Sequence, residues 1–191
     1  MNKPIAESTA AIEEHLLRLD RPTLQLLNPG ISSELVATEL TQRGLHAGED
    51  LIALFAWRNG TRAGPAILLD DMWLMPGYYL LTFEDALHTY DRFVNEHGEN
   101  RLWFPVLTTE SGCWVFVDCS NATDQPVYHF TFEDPDHEQR HSSIKDMLAG
   151  IAEGFARGVF FVDADGWFDM DDDAFWALAR ELNPGSSYWI E

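Results

Sequence analysis

Residues 28–60 decide the fold, and they read NPGISSELVATELTQRGLHAGEDLIALFAWRNG. Ser32 or Ser33 can cap a helix, apolar residues then recur at helical spacing up to Arg43, and a glycine follows as a stop signal. A second run, 49–57, keeps helical spacing and is followed by the turn-forming pair Asn-Gly. The stretch therefore predicts two short helices separated by a glycine break, and it contains no plausible set of catalytic groups.

Further helices and strands are predicted on both sides of this stretch. Helical spacing of apolar residues, with caps and glycine or proline breaks, predicts helices at 6–20, 82–97, 142–155 and 171–182. Short apolar runs bounded by turn residues predict strands at 66–69, 72–75, 78–81, 101–109, 112–119 and 126–132, and a strand leading into a turn at 158–166. Pro105 lies inside one of these runs, so we expect it at a sheet edge or at a bulge.

The length of 191 residues suits one domain with a sizeable core, and neither an internal repeat nor a low-complexity linker divides the chain. We therefore predict a single α+β domain over 1–191, in which N-terminal helices pack on a mostly antiparallel sheet. Its core would span about 24–157, and a strand–turn–helix extension would follow at 158–191.

The charge balance restricts the classes of partner. Asp and Glu number 32 against 12 Lys and Arg, which gives a net charge of −20. Such a surface repels phosphates and anionic lipid headgroups, so we expect neither nucleic acid nor a membrane as a partner. It would attract a basic protein, although acidity alone also serves solubility.

The first residues carry one lysine and no apolar segment of the kind found in secretory signals. No run of about 18 apolar residues is present either. We therefore expect a cytoplasmic location.

Catalytic and metal-binding motifs are not evident in the sequence. Cys113 and Cys119 would lie about 20 Å apart in one strand, which is too far for a disulfide. The seven histidines are scattered, and 133–141 looks like a polar loop. Because nucleophile elbows, phosphate loops and zinc spacings are missing, we expect no catalytic residue, no cofactor and no metal site.

The run 163–173, DADGWFDMDDD, holds six aspartates. A calcium loop with Gly166 at its sixth position would place Phe161 at the first ligand position, and phenylalanine has no ligand oxygen. Two compatible interpretations remain: a turn followed by aspartates that complement a helix dipole, and a partner-binding surface.

The tryptophans offer candidate interface anchors. Most are core residues by default, but Trp57 and Trp103 stand beside turn-forming or edge-forming residues. Partly exposed tryptophan is a favoured anchor in protein interfaces. Both residues could serve either in the core or in an interface.

The order of several short motifs resembles the SUKH superfamily, which includes bacterial toxin-immunity proteins and fungal regulators of cell-wall synthesis. The matching segments, in chain order, are Pro29-Gly30, Gly44-Leu45, Glu49-Asp50-Leu51, Trp57-Arg58-Asn59-Gly60, Trp103-Phe104-Pro105, Val115-Phe116-Val117-Asp118 and Pro126-Val127-Tyr128. A late helix over 142–155 resembles the closing helix of the family. The chain departs from the common pattern at Ala47-Gly48, in a long insertion between Gly60 and Trp103, and in its C-terminal extension.

The resemblance implies an immunity protein that binds and neutralises a toxin domain by occlusion and has no enzymatic activity. An acidic face with aromatic anchors would then cover a basic groove of the toxin. The residues that we predict to contact the partner are Trp57, Asn59, Trp103, Asp118, Asp134, Asp136, Asp163, Asp165 and Asp169.

Two other functions are compatible with the sequence. The fungal branch suggests a regulatory or scaffold protein with an intracellular partner. An enzyme would require a deep pocket that holds a carboxyl group of strongly raised pKa.

Overall fold

Helices and antiparallel strands build an α+β fold, 46% helical and 21% strand, in a single domain. The computed structural model describes residues 4–97, 102–109, 111–133 and 137–190. Its α-helices are α1 Ile5–Arg18, α2 Thr23–Leu26, α3 Ser33–Gln42, α4 Glu49–Trp57, α5 Leu69–Met72, α6 Phe83–Arg92, α7 Ile144–Ala156 and α8 Asp172–Leu182. A π-helical turn, Phe93–His97, extends α6, and a short 3-10 helix, Ser187–Trp189, follows α8.

Side-chain caps explain where four of these helices begin. In each case the oxygen of the cap accepts a hydrogen bond from the backbone N–H three residues later, and a cap of this kind contributes about 1 kcal/mol. The capping residues are Ser32 of α3, Thr82 of α6, Ser143 of α7 and Asp171 of α8. These caps confirm the predicted helix starts.

The strands are β1 Leu27–Pro29, β2 Arg58–Thr61, β3 Tyr79–Leu80, β4 Trp103–Thr108, β5 Cys113–Asp118, β6 Val127–Thr131, β7 Gln139–His141, β8 Phe160–Val162 and β9 Phe168–Met170. The central sheet has the order β3-β4-β5-β6-β7, and all of its strand pairs are antiparallel. Pro105 lies where the pairing of β4 with β5 changes register, which confirms the predicted bulge.

The two faces of the central sheet carry different kinds of side chain. One face contributes Phe104, Val117 and Val127 to the main hydrophobic core, which also includes residues of α1, α3, α4 and α7. The other face carries an aromatic cluster in which Phe116 and Phe130 pack against Phe93 of the π-helical turn. The alternation along β5 and β6 therefore separates aliphatic from aromatic residues.

Gly60 lies in β2, directly after the helices α3 and α4, and allows the chain to pass close to the start of α6. Its φ is +73°, and a Cβ atom at this position would lie 2.3 Å from the backbone nitrogen of Thr82. Only glycine combines this backbone conformation with so close an approach. The Asn-Gly pair at 59–60 is thus a packing requirement between β2 and the start of α6.

The apolar runs 66–69 and 72–75 do not form the predicted strands. The segment instead contains α5, because its polar groups are held by residues far away in the sequence. The hydroxyl of Thr23 donates to the carbonyl oxygens of Asp71 and Trp73, at 2.8 and 2.9 Å. These bonds satisfy backbone groups that a strand would have offered to a neighbouring strand.

The prediction of a polar loop over 133–141 was also wrong at its C-terminal end. Residues 139–141 form β7, the edge strand that pairs with β6. In the extension, β9 was not predicted, and it forms a hairpin with β8. The two unpredicted strands, β7 and β9, have three residues each, too few for an alternating pattern to be recognised in the sequence.

The C-terminal extension packs into the same core as the rest of the domain. The main core cluster includes Phe160, Phe168 and Leu178. The carboxylate of Asp70 accepts a hydrogen bond from the backbone N–H of Phe168 at 2.8 Å and forms an ion pair with Arg21 at 2.6 Å. The buried ion pair therefore ties β9 to α5 and to the link between α1 and α2.

Both cysteines are free, in agreement with the prediction that they form no disulfide.

Among the described helices, none has the length and apolar character needed to cross a bilayer.

Candidate functional site

One face of the hairpin β8–β9 combines aromatic and acidic side chains at the surface. Phe161 pairs with Asp169 in the β8–β9 ladder. At the turn end of the hairpin, the backbone N–H of Asp163 donates a hydrogen bond to the carbonyl oxygen of Trp167. Residues that face each other across a strand pair share one side of it, as do residues two apart along a strand. Phe161 is 36% exposed and Trp167 54% exposed, so this side faces solvent. We name these four residues, with Asp165 in the turn, the acidic hairpin face.

The turn of the hairpin is shaped by the carboxylate of Asp163. Its Oδ1 accepts hydrogen bonds from the backbone N–H groups of Asp165, at 2.9 Å, and Trp167, at 2.8 Å. Gly166 completes the turn with a φ of +92°. Asp163 therefore positions the exposed tryptophan and also adds charge beside it.

The first turns of α8 continue the acidic and aromatic character. Asp171 caps the helix, and Asp172 and Asp173 follow it at the surface. Trp176 is 37% exposed and stacks on Tyr188, with a distance of 5.4 Å between the ring centroids. Aspartates in a first turn complement the helix dipole, so their charge also stabilises α8.

The negative charge of this region has no cationic partner among the described residues. None of the six aspartates at 163–173 takes part in an ion pair there. The sequence also has no lysine or arginine between Arg157 and Arg180. A potential of one sign beside exposed aromatic rings is suited to attract and then bind a basic surface.

Trp57 and Asn59, two of the predicted contact residues, make hydrogen bonds inside the fold. The indole Nε1 of Trp57 donates to Glu13 at 2.8 Å, which links α4 to α1. The side-chain oxygen of Asn59 accepts from the backbone N–H of Phe83 at 2.8 Å, which links β2 to α6. Both side chains are half-buried, and their role in partner binding stays a prediction.

Trp103 and Asp118 lie together at one end of the central sheet, where they pair across β4 and β5. The ring of Trp103 stacks on Tyr128 with a centroid distance of 4.5 Å. Asp118 accepts a hydrogen bond from the backbone N–H of Ser120 at 2.8 Å. This pair stays a candidate contact, separate in the fold from the acidic hairpin face.

Asp134 and Asp136 lie outside the described residues. The structure thus brings together three of the nine predicted contact residues, Asp163, Asp165 and Asp169, in one hairpin. Within the described ranges, no group of three or more histidine, cysteine, aspartate or glutamate side chains could hold a metal ion.

Sequence reasoning missed the aromatic members of the acidic hairpin face. Trp167 was assigned to the core by default, and Phe161 was considered only as a calcium-loop position. The available signal was the alternation in 160–163, Phe-Phe-Val-Asp, which places one of two adjacent phenylalanines outward once the segment is a strand.

No protein-family model matches the chain, and a search of curated proteins finds no similar sequence.

Proposed function

We propose that this chain is a cytoplasmic, SUKH-like immunity protein that binds a basic toxin domain and neutralises it by occlusion. The acidic hairpin face, continued by the first turn of α8, is the contact surface. The single observation that supports this function best is the exposed Trp167, held by Asp163 among aspartates that have no ion-pair partner in the described structure.

The mechanism has two stages with different physical origins. Long-range attraction between the aspartates and a basic groove would raise the association rate. Burial of Trp167 and Phe161 would then slow dissociation, because large aromatic anchors in a desolvated centre carry most of the binding free energy. Neither stage requires a reaction, so the toxin would be blocked by coverage alone.

The rigidity of the surface favours occlusion. Phe160 and Phe168 lie in the main core under the hairpin, and Asp70 holds the backbone of Phe168. Exposed side chains on a preformed backbone lose little conformational freedom on binding. The extension is therefore suited to bind a partner without first folding.

Co-expression with the toxin domain encoded beside the gene tests the proposal. We expect the chain to protect the cells and Trp167→Ala to lose protection, with a loss of affinity of about 30-fold or more for a hot-spot tryptophan. Leu17→Ala is the matched control, since Leu17 is 68% exposed on α1, outside the acidic hairpin face. If the chain does not protect against that toxin, the immunity function is wrong.

Charge steering is tested separately by measuring the association rate. Asp165→Asn with Asp169→Asn should slow association at low ionic strength, and the difference from the wild type should shrink at physiological salt. Glu34→Gln with Glu84→Gln removes the same charge from exposed first-turn positions of α3 and α6. Equal slowing by both pairs would show that only net charge matters and would remove the specific role of the hairpin.

A further inference from the structure

The edge strand β7 contains a bulge that carries an arginine. Val127 pairs with His141 and Tyr128 pairs with Gln139, so Arg140 is the extra residue between two ladder positions. A bulge redirects the side chain of its extra residue, and bulges are over-represented beside functional sites.

The side chain of Arg140 lines a cavity of about 200 Å³ between the central sheet and the C-terminal extension. The other walls are mainly apolar or aromatic: Leu107, Val115 and Val127 from the sheet, Met147 from α7, Phe175 and Trp176 from α8, and Tyr188 and Trp189 from the C-terminal segment. An apolar cavity of about 150 Å³ is enough to hold benzene. The space therefore suits a molecule of one ring with a small substituent.

The guanidinium of Arg140 has no carboxylate partner among the described residues. It donates one hydrogen bond, from Nη2 to the hydroxyl of Tyr188 at 2.5 Å, while its buried Nε has no partner. Its carbon Cζ lies 4.0 Å from the ring centroid of Tyr188 and 5.5 Å from that of Trp189. A guanidinium offers five N–H donors, and the hydrogen bonds of the described structure use one of them.

We propose that this cavity binds a small monocarboxylate with a single-ring body, whose carboxylate pairs with Arg140. A planar carboxylate matches the donor fork of arginine, and the aromatic and aliphatic walls match the ring. One guanidinium balances one negative charge. Asp172 on the cavity wall repels a dianion about twice as strongly as a monoanion, which disfavours a phosphate dianion relative to a carboxylate.

The proposal is tested on the full chain with benzoate, phenylacetate and cyclohexanecarboxylate as probes. Trp176 and Trp189 line the cavity, so binding should change the intrinsic tryptophan fluorescence, and calorimetry should give the affinity. We expect at least one probe to bind saturably. Benzamide, which has the shape of benzoate without its charge, should bind at least about tenfold more weakly, because a hydrogen bond between charged groups is lost.

Arg140→Met is the decisive variant, since methionine fills a similar space without charge. It should weaken carboxylate binding at least about tenfold and, because it removes a half-buried charge that has no carboxylate partner among the described residues, leave the melting temperature of the free protein nearly unchanged. Arg157→Met is the control, because Arg157 lies at the surface, where Glu181 accepts its hydrogen bonds at 2.7 and 2.8 Å. That variant should bind the probes as the wild type does.

Three outcomes with the wild-type chain would overturn the proposal: no saturable binding of any of the three carboxylates, equal binding of benzoate and benzamide, or tighter binding of inorganic phosphate than of benzoate. Unchanged binding by Arg140→Met would overturn it as well. If Arg140→Met does not fold, the comparison of benzoate with benzamide on the wild-type chain decides alone. These results do not depend on the toxin test.

Discussion

Two arginines of this protein, Arg21, which is buried, and Arg140, which is half-buried, have opposite surroundings. Arg21, in the link between α1 and α2, donates from Nη2 to the carboxylate of Asp70 at 2.6 Å and to its carbonyl oxygen at 2.8 Å. Arg140, on the bulge of β7, donates to a tyrosine hydroxyl and has aromatic rings where a carboxylate would be expected. Both guanidinium groups lie beside the C-terminal extension, and one of them is neutralised by the protein itself.

The difference separates an arginine that is paired with a carboxylate from one that has no such partner among the described residues. A buried charge that is paired and fully hydrogen-bonded serves the fold, whereas an unpaired one is destabilising unless something else compensates it. Burial lowers the pKa of Arg140, because the apolar surroundings disfavour its charged form.

Among the substitutions considered, removal of the Asp70 carboxylate that pairs with Arg21 should cause the largest decrease in the free energy of unfolding. Asp70→Ala leaves Arg21 buried without its counter-ion and frees the backbone N–H of Phe168, so we expect a loss of about 3–5 kcal/mol in the free energy of unfolding. Urea denaturation measures it. The double variant Arg21→Met with Asp70→Leu removes both charges and should lose clearly less. A loss below about 1 kcal/mol for Asp70→Ala would erase the distinction between the two arginines.

His141, next to Arg140, should give the chain a pH-dependent stability. Burial is the largest influence and, with the charge of Arg140, lowers the pKa of His141 to about 4; the side chain of Asn183 acts in the opposite direction. Because the folded-state pKa lies below the unfolded value of about 6.5, the neutral form stabilises the fold above that pH. This stability is lost progressively as the pH falls from about 6.5 to about 4.

Between about pH 7 and about pH 5, this histidine should account for a decrease of about 2 kcal/mol in the free energy of unfolding. His141 keeps a small accessible surface, so this is an upper value. Urea denaturation at both pH values measures this contribution. Comparison of the wild type with His141→Gln separates the contribution of His141 from that of the carboxylates that titrate in the same pH range. Equal pH dependence of the two proteins would show that β7 tolerates a second positive charge beside Arg140.

Removal of the Tyr188 hydroxyl, which accepts a hydrogen bond from Arg140, should cause the smallest decrease in the free energy of unfolding. Tyr188→Phe removes one hydrogen bond but keeps the ring under the guanidinium, so we expect a loss of about 1 kcal/mol in the free energy of unfolding. Tyr128→Phe, another tyrosine of the cavity wall, is the control and should change stability by less than about 0.5 kcal/mol. If Tyr188→Phe destabilises the protein as much as Asp70→Ala does, Arg140 is held as firmly as Arg21.

The helices and the central sheet were largely predictable because their signals are local. Ser32, Thr82 and Ser143 each cap a helix by accepting a hydrogen bond from the backbone N–H three residues later. The spacing of apolar residues indicates which face of each helix is buried. The bulge at Pro105 follows from the missing N–H of proline. The segment 66–75 was misassigned because Thr23, about fifty residues away in sequence, holds its backbone in another conformation.

The candidate surface was predicted in part. The acidic run pointed to Asp163, Asp165 and Asp169, since charge without a nearby cation is visible in the sequence. The outward positions of Phe161 and Trp167 were not visible, because adjacent aromatic residues can face either side of a short strand. Arg140 was missed for a related reason: its segment has the composition of a polar loop.

Composition and local backbone preferences were enough to establish the capped starts of α3, α6, α7 and α8, the free cysteines and the negative charge of this chain. Each of these depends on residues within a few positions of one another or on simple counting. Tertiary structure alone decided that Arg21 meets Asp70 whereas Arg140 meets Tyr188, pairs that lie 49 and 48 residues apart. Contacts over such distances arise only when separate elements pack together, and packing determines which arginine lies beside a carboxylate and which lies beside aromatic rings.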